Sequence, residues 1–118
     1  WLERLGRWQC LRIPLPAASM RHAWYRFYAF VNAAALKPGW DRDRLMAAIA
    51  ETGVSCFSGS CPEIYREQAF AKAGQARLPV AKLLGESSLA VLTHPTLEPV
   101  HIHAMADAVD AVLQRAAR

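Results

Sequence analysis

Between His22 and Asn32 the chain reads Trp24, Tyr25, Phe27, Tyr28, Phe30 and Val31, with Arg26 as the one strong charge among them. Aromatic and β-branched residues at both odd and even positions leave a strand no fully wet face. The run therefore predicts a central strand covered on at least one side, with its tyrosine hydroxyls partnered at its ends. The rest of the chain has to supply the neighbouring strands and the cover. At 118 residues it has room for one core and hardly for two.

The remaining segments fall into order around that strand. Residues 1–12 carry Trp1, Leu2, Leu5 and Trp8 at partly helical spacing and read as the tail of a helix begun upstream, or a linker. The first residue is Trp rather than Met, which predicts a piece of something longer. Ile13-Pro14-Leu15-Pro16 is a connector, because each proline forces its predecessor towards extended geometry. Lys37-Pro38-Gly39-Trp40 is a turn. Asp41 then offers an N-cap to a helix with Leu45, Met46, Ile49 and Ala50 on one face, stopped at Gly53. Val54–Phe57 reads as a short strand, and Pro62 opens a brief helix carrying Ile64, Tyr65 and Phe70. After a loop at Gly74–Arg77 come a short helix over Leu78–Gly85 and a strand over Ser88–Thr93. A long helix follows from Pro99, striped with Ile102, Met105, Val109, Val112 and Leu113. The expected architecture is α/β of the α+β kind: a small, mostly antiparallel sheet of about three strands with helices packed on one face. Residues 13–118 form the domain, and there is no internal repeat.

Composition removes several function classes. At 53% apolar and 20% charged residues the chain is that of a globular protein. No apolar run approaches the roughly 18–20 residues of a membrane span, and no signal-peptide pattern opens the chain. The net charge of +4 lies entirely in residues 1–26, where Arg4, Arg7, Arg12, Arg21 and Arg26 face Glu3 alone. Arg26 among Trp24, Tyr25, Phe27 and Tyr28 has the composition of a base-stacking face. The simpler reading, a solvated extension followed by an aromatic core strand, is preferred, so no nucleic-acid partner is expected. Cys10, Cys56 and Cys61 are sparse and odd in number, which fits a reducing cytoplasm rather than a disulfide scaffold.

Among residues with chemistry, the stretch Cys56-Phe57-Ser58-Gly59-Ser60-Cys61-Pro62-Glu63-Ile64-Tyr65 stands out. A strand end breaks there into small polar residues and restarts as a helix, exposing N–H groups and hydroxyls at a sheet edge. It lacks the glycines and lysine of a P-loop, so a tight turn competes with a ligand contact. His94, before Pro95 at a strand end, is a candidate site residue or a half-exposed structural one. His101 and His103 stand about 200° apart on a helix and cannot chelate one ion together. His22 reads as a hydrogen-bonding end group of the strand. Cys56 and Cys61 lack the partners of a zinc site, and no base can be named for a nucleophilic Cys61, so an inert buried thiol is the preferred reading. Lys37, Lys72 and Lys82 lie in a turn, an exposed helix and an amphipathic helix, none of them a desolvated setting that would make a Schiff-base former. Glu63 and Glu67 read as a solvated helix face. No complete catalytic set is present.

One series of segments has a familiar order: His22-Ala23-Trp24-Tyr25-Arg26-Phe27-Tyr28-Ala29-Phe30, then Asp41-Arg42-Asp43-Arg44-Leu45 leading to Gly53-Val54, then Cys56 to Tyr65. Leu78-Pro79-Val80-Ala81, Ser88-Leu89 and His94-Pro95-Thr96-Leu97 complete it. Over residues 13–117 this order resembles the C-terminal small domain of the DegT/StrS sugar-nucleotide aminotransferases, pyridoxal-phosphate enzymes of the aspartate-aminotransferase fold. The resemblance implies a large domain, outside this sequence, that holds pyridoxal phosphate and the catalytic lysine. It implies a homodimeric full-length protein that moves an amine from glutamate to a nucleotide-linked keto-sugar. This chain would carry no catalytic residue and bind no cofactor. Tyr25, Ser58, Gly59, Ser60 and, more weakly, His94 would face the substrate. Tyr25 stands where many relatives carry histidine, and Ser58-Gly59-Ser60 where many carry an aromatic-rich loop, which points away from the familiar keto-sugars. Glu98-Pro99 replaces a common Thr cap, a matter of stability. The competing expectation is a stand-alone small-molecule-binding or regulatory α/β module.

Overall fold

Burial alternates along Arg26–Val31: Phe27, Ala29 and Val31 are buried, while Arg26, Tyr28 and Phe30 stay half-exposed on the other side. This period of two assigns one face of the strand to a core and the other to a partly open surface. In the computed structural model, which describes the whole chain apart from the side chains of residues 71–73, that strand is β2. It lies between β1 (Leu11–Arg12) and β4 (Ser88–Leu92), with β3 (Cys56–Phe57) outside β4. All neighbours are antiparallel, in the order β1-β2-β4-β3. The sheet thus has four strands rather than about three, the addition being the two-residue β1.

Register sorts the side chains. Phe27 pairs with Val91 and Val91 with Cys56, while Ala29 pairs with Leu89; these share the inner face. Tyr28 pairs with Ala90 and Ala90 with Phe57, Phe30 pairs with Ser88 and Arg12, and Arg26 with Leu92; these share the outer face.

Two helices cover the inner face. The first, α2 (Arg42–Ala50), starts where the Asp41 side chain accepts from the Arg44 N–H at 2.7 Å, and it buries Leu45, Ala48 and Ile49. Gly53, at φ +84°, turns the chain out of it in a left-handed conformation open to glycine at little cost. The other, α4 (Pro99–Ala116), buries Ala106, Val109, Val112, Leu113 and Ala116. Its last carbonyls are met by Lys37, whose Nζ donates to Gln114 O at 3.2 Å and Arg115 O at 3.0 Å.

The start of the chain joins the same core. A one-turn helix, α1 (Leu2–Leu5), leads to Leu5, Cys10 and Leu11, all buried in the cluster with Val109, Val112 and Leu113. Asp110, the one charged side chain buried on α4, accepts from Arg7 at 2.6 Å, Trp8 Nε1 at 2.8 Å and Gln114 at 3.0 Å. Burial alone would push its carboxyl up, but those donors outweigh it and hold the group below its ordinary value.

The remaining helix, α3 (Pro79–Ser87), buries no residue and borders the outer face, where Leu84 lines a groove with Tyr28 and Phe30. Between β3 and α3 the expected brief helix is two 3-10 turns, Ile64–Arg66 and Gln68–Ala73. No described helix is long and apolar enough to cross a membrane.

Candidate functional site

The aromatic run does not enter β2 smoothly. Trp24 sits at φ +49°, the left-handed region, which costs a bulky residue about 1–2 kcal/mol. Local bonds hold it there. Its N–H donates to His22 Nδ1 at 2.8 Å, its carbonyl accepts from the Thr93 hydroxyl, and its ring lies 4.5 Å from that of His22 and 5.7 Å from that of Phe27. The consequence is that Tyr25, the next residue, is thrown outward and is 81% exposed.

Tyr25 then shares a cleft with the end of β4. Ala23, Trp24, Tyr25, Thr93, His94 and Pro95 line an open hollow of about 660 Å³. His94 Nδ1 is within 2.8 Å of the Thr96 hydroxyl, and the Thr96 N–H points to the same nitrogen at 3.3 Å. That fixes the ring and leaves Nε2 as its outward edge. Two residues distant in sequence, Tyr25 and His94, are thereby brought together.

The loop Ser58–Ser60 lies on the outer face beside Tyr28 instead. Ser88 Oγ donates to the Ser58 carbonyl, and the Tyr28 and Ser60 hydroxyls are 3.3 Å apart. Gly59, at φ +92°, passes so close to Tyr28 that an added Cβ would fall 2.6 Å from Cε1 of that ring. Glycine is required there on both counts. The chain beyond is pinned by Glu63, which accepts two hydrogen bonds from Arg77, at 2.8 and 2.6 Å, and one from the Tyr65 hydroxyl at 2.7 Å. Tyr65 in turn accepts from the Leu78 N–H at 2.9 Å. The Arg77 hydrogen bonds chiefly hold the Glu63 carboxyl down to about 2, so the clamp is charged at any ordinary pH. Glu63, read from sequence as a solvated face, is this anchor; its Tyr65 and Arg77 partners lie 2 and 14 residues away, too scattered for a pattern to reveal.

The thiols do not form a reactive centre. Burial pushes Cys56 up to about 11 and Cys10 above its ordinary value. Cys61 is exposed rather than buried; it donates to Glu67 at 3.3 Å, and that bond raises its pKa too. Among the described residues no cluster of His, Cys, Asp and Glu could hold a metal. Nor do the described lysines suit a Schiff base: Lys37 is committed to the end of α4, and Lys82 is exposed near Glu86 at 3.9 Å. What the arrangement offers is a wall of hydroxyls, an imidazole edge, ring faces and backbone that can position a polar ligand.

Comparison with solved structures finds the same fold inside longer chains. An aminotransferase from Psychrobacter cryohalolentis is 40% identical and superposes with a TM-score of 0.88 over 96% of this chain and 31% of its own. A DegT DnrJ EryC1 StrS aminotransferase from Brucella abortus is 20% identical, with a TM-score of 0.69 over 96% of this chain and 27% of its own. E. coli GDP-4-keto-6-deoxy-D-mannose-3-dehydratase with bound hydrated PLP is 16% identical, with a TM-score of 0.70 over 95% and 28%. The latter two likenesses concern the fold alone. No protein-family model and no curated protein sequence matches the chain. The chain spans 31% or less of the length of each of these three.

Proposed function

For a chain whose structural neighbours are sugar aminotransferases of the DegT/DnrJ/EryC1/StrS type, and which matches about a third of their length, we propose a role as the substrate-covering part of a pyridoxal-phosphate-dependent aminotransferase that acts on a nucleotide-linked keto-sugar. The observation that carries this reading is the 40% identity and TM-score of 0.88 to the Psychrobacter enzyme over nearly the whole chain. The choice of substrate class and cofactor follows the resemblance carried by the segments from His22 to Leu97.

In this reading the chain's own residues bind and shield. Tyr25 and His94 present a hydroxyl and an imidazole edge to the sugar from one end of the sheet. Ser58, Gly59 and Ser60 form a second polar edge, held in shape by Tyr28, Ser88 and the Glu63 clamp. The large domain of the parent protein supplies cofactor and catalytic lysine, and glutamate supplies the amine. Docking of that domain is supported by apolar side chains left exposed on and around α3: Val80, Leu83, Leu78 and Ile64. The protein would work as a homodimer in the cytoplasm.

The test is the complete open reading frame containing this chain, purified with pyridoxal phosphate and supplied with glutamate and nucleotide-linked keto-sugars. The expected products are an amino sugar and 2-oxoglutarate, identified by mass. Turnover by the 118-residue chain alone would contradict the reading. A dehydrated, unaminated sugar would overturn the reaction while keeping the substrate class.

A further inference from the structure

We propose that Arg26 is an anion-binding residue of this site and receives the phosphate oxygens of a nucleoside diphosphate, the carrier end of the sugar substrate. The inference rests on the reading above and adds to it a contact for the phosphates.

Arg26 is set apart by what it does not touch. Arg4, Arg7, Arg42, Arg66 and Arg77 each meet a carboxylate within 4 Å. Arg26 meets none among the described residues. Its guanidinium instead stands over two rings, 5.6 Å from the centroid of Tyr25 and 5.1 Å from that of Phe57. Ring faces hold a guanidinium in place without consuming its N–H donors. The fork is therefore positioned and still free to bind an anion through two hydrogen bonds at once.

Its location points the same way. Arg26 is the first residue of β2 and faces the outer side of the sheet, next to the Tyr25 that the left-handed Trp24 throws outward. Its neighbours Trp24 and Tyr25 line the cleft that contains His94. Trp24 also lines a smaller hollow of about 220 Å³, together with Pro14, His22, Arg26, Tyr28 and Phe30, rich in ring faces and without an acidic side chain. A nucleotide-linked sugar has a flat base at one end, charged phosphates in the middle and a hydroxyl-rich ring at the other. Stacking surface, guanidinium and polar cleft adjoin one another here, with Trp24 common to both hollows.

The test titrates the chain with uridine diphosphate and, separately, inorganic pyrophosphate. Binding is followed by tryptophan fluorescence and by amide shifts of residues 22–28 and 57–60. Both probes are expected to bind. Arg26→Gln should weaken uridine diphosphate about tenfold or more, as loss of charge-assisted bonds implies. Arg26→Lys keeps the charge but not the two-pronged donor and should weaken it severalfold, which covers the case of an Arg26→Gln protein that does not fold. Arg115→Gln, exposed in the last turn of α4, should change nothing. Binding equal in native and Arg26→Lys or Arg26→Gln protein, or no response to either probe at millimolar concentration, would overturn the proposal. So would single-stranded RNA that binds more tightly than the diphosphate and loses as much with Arg12→Gln as with Arg26→Gln. Diphosphate binding through Arg26 in a protein whose complete form transaminates no sugar would sink the aminotransferase reading and leave this site standing. A transaminating enzyme with KM unchanged by Arg26→Gln would do the reverse.

Discussion

Gly59 and Gly53 offer an internally controlled experiment on the loop at the sheet edge. Both are left-handed, at φ +92° and +84°, so an alanine at either position suffers strain of about 1–2 kcal/mol. They differ in surroundings. A Cβ on Gly53 meets nothing within 4 Å, whereas one on Gly59 lands 2.6 Å from Tyr28 Cε1 and 3.2 Å from its hydroxyl oxygen. The Tyr28 ring then has to turn away, forfeiting its hydrogen bond to Ser60 and part of its packing, about 1–2 kcal/mol more. Gly59→Ala should thus cost about 3 kcal/mol and Gly53→Ala about 1–2 kcal/mol. For a chain of 118 residues a kilocalorie shifts the melting temperature by about 4 °C, so the two variants should melt roughly 4–8 °C apart. Urea and thermal denaturation read the difference. In a Tyr28→Ala background the cost of Gly59→Ala should fall to that of Gly53→Ala, which isolates the contact as a coupling energy. Equal melting temperatures for the two single variants, or an undiminished Gly59→Ala penalty without the Tyr28 ring, would refute the reasoning.

Two further predictions concern charge. Asp110 is held below its ordinary pKa, so its contribution to stability is present above the unfolded carboxyl value of about 3.9 and is lost as pH falls through the folded value. Urea midpoints should therefore drop below about pH 4, and Asp110→Asn should flatten that drop while lowering stability at pH 7 by about 2 kcal/mol. Cys61, exposed but bonded to Glu67, should alkylate faster than the more covered Cys10 and Cys56 yet slower than a free thiol at pH 7.5, and Glu67→Gln should speed it; timed iodoacetamide labelling with mass analysis decides.

Legibility followed the range of the interactions involved. The helix from Asp41, the strand at Ser88 and the long helix from Pro99 were readable because caps and periodicity are local signals. The aromatic run announced β2 but overstated it. The run reads as a strand from His22, while pairing begins at Arg26, because the left-handed Trp24 breaks the extended backbone. β1 was not legible: two residues pair with Phe30 and Val31 only through tertiary contact, and helical spacing in Trp1–Trp8 argued otherwise. The packing of that opening segment through Trp8 and Arg7 onto Asp110 is likewise a contact across about a hundred residues. At the site, each candidate could be named from its residue type, but their grouping could not. Tyr25 joins His94 through the Trp24–Thr93 bond, and Ser60 joins Tyr28 instead. Arg26 was visible among aromatics, yet only the structure distinguishes an arginine over rings from one paired with a carboxylate.

The most direct trial of the account is steady-state kinetics of the complete protein with glutamate and a nucleotide-linked keto-sugar, native against Tyr25→Phe and His94→Ala. The account predicts amino-sugar formation by the native protein and a rise in KM for the sugar, with KM for glutamate little changed, in both variants. Native turnover with sugar KM values unmoved by either substitution would contradict it.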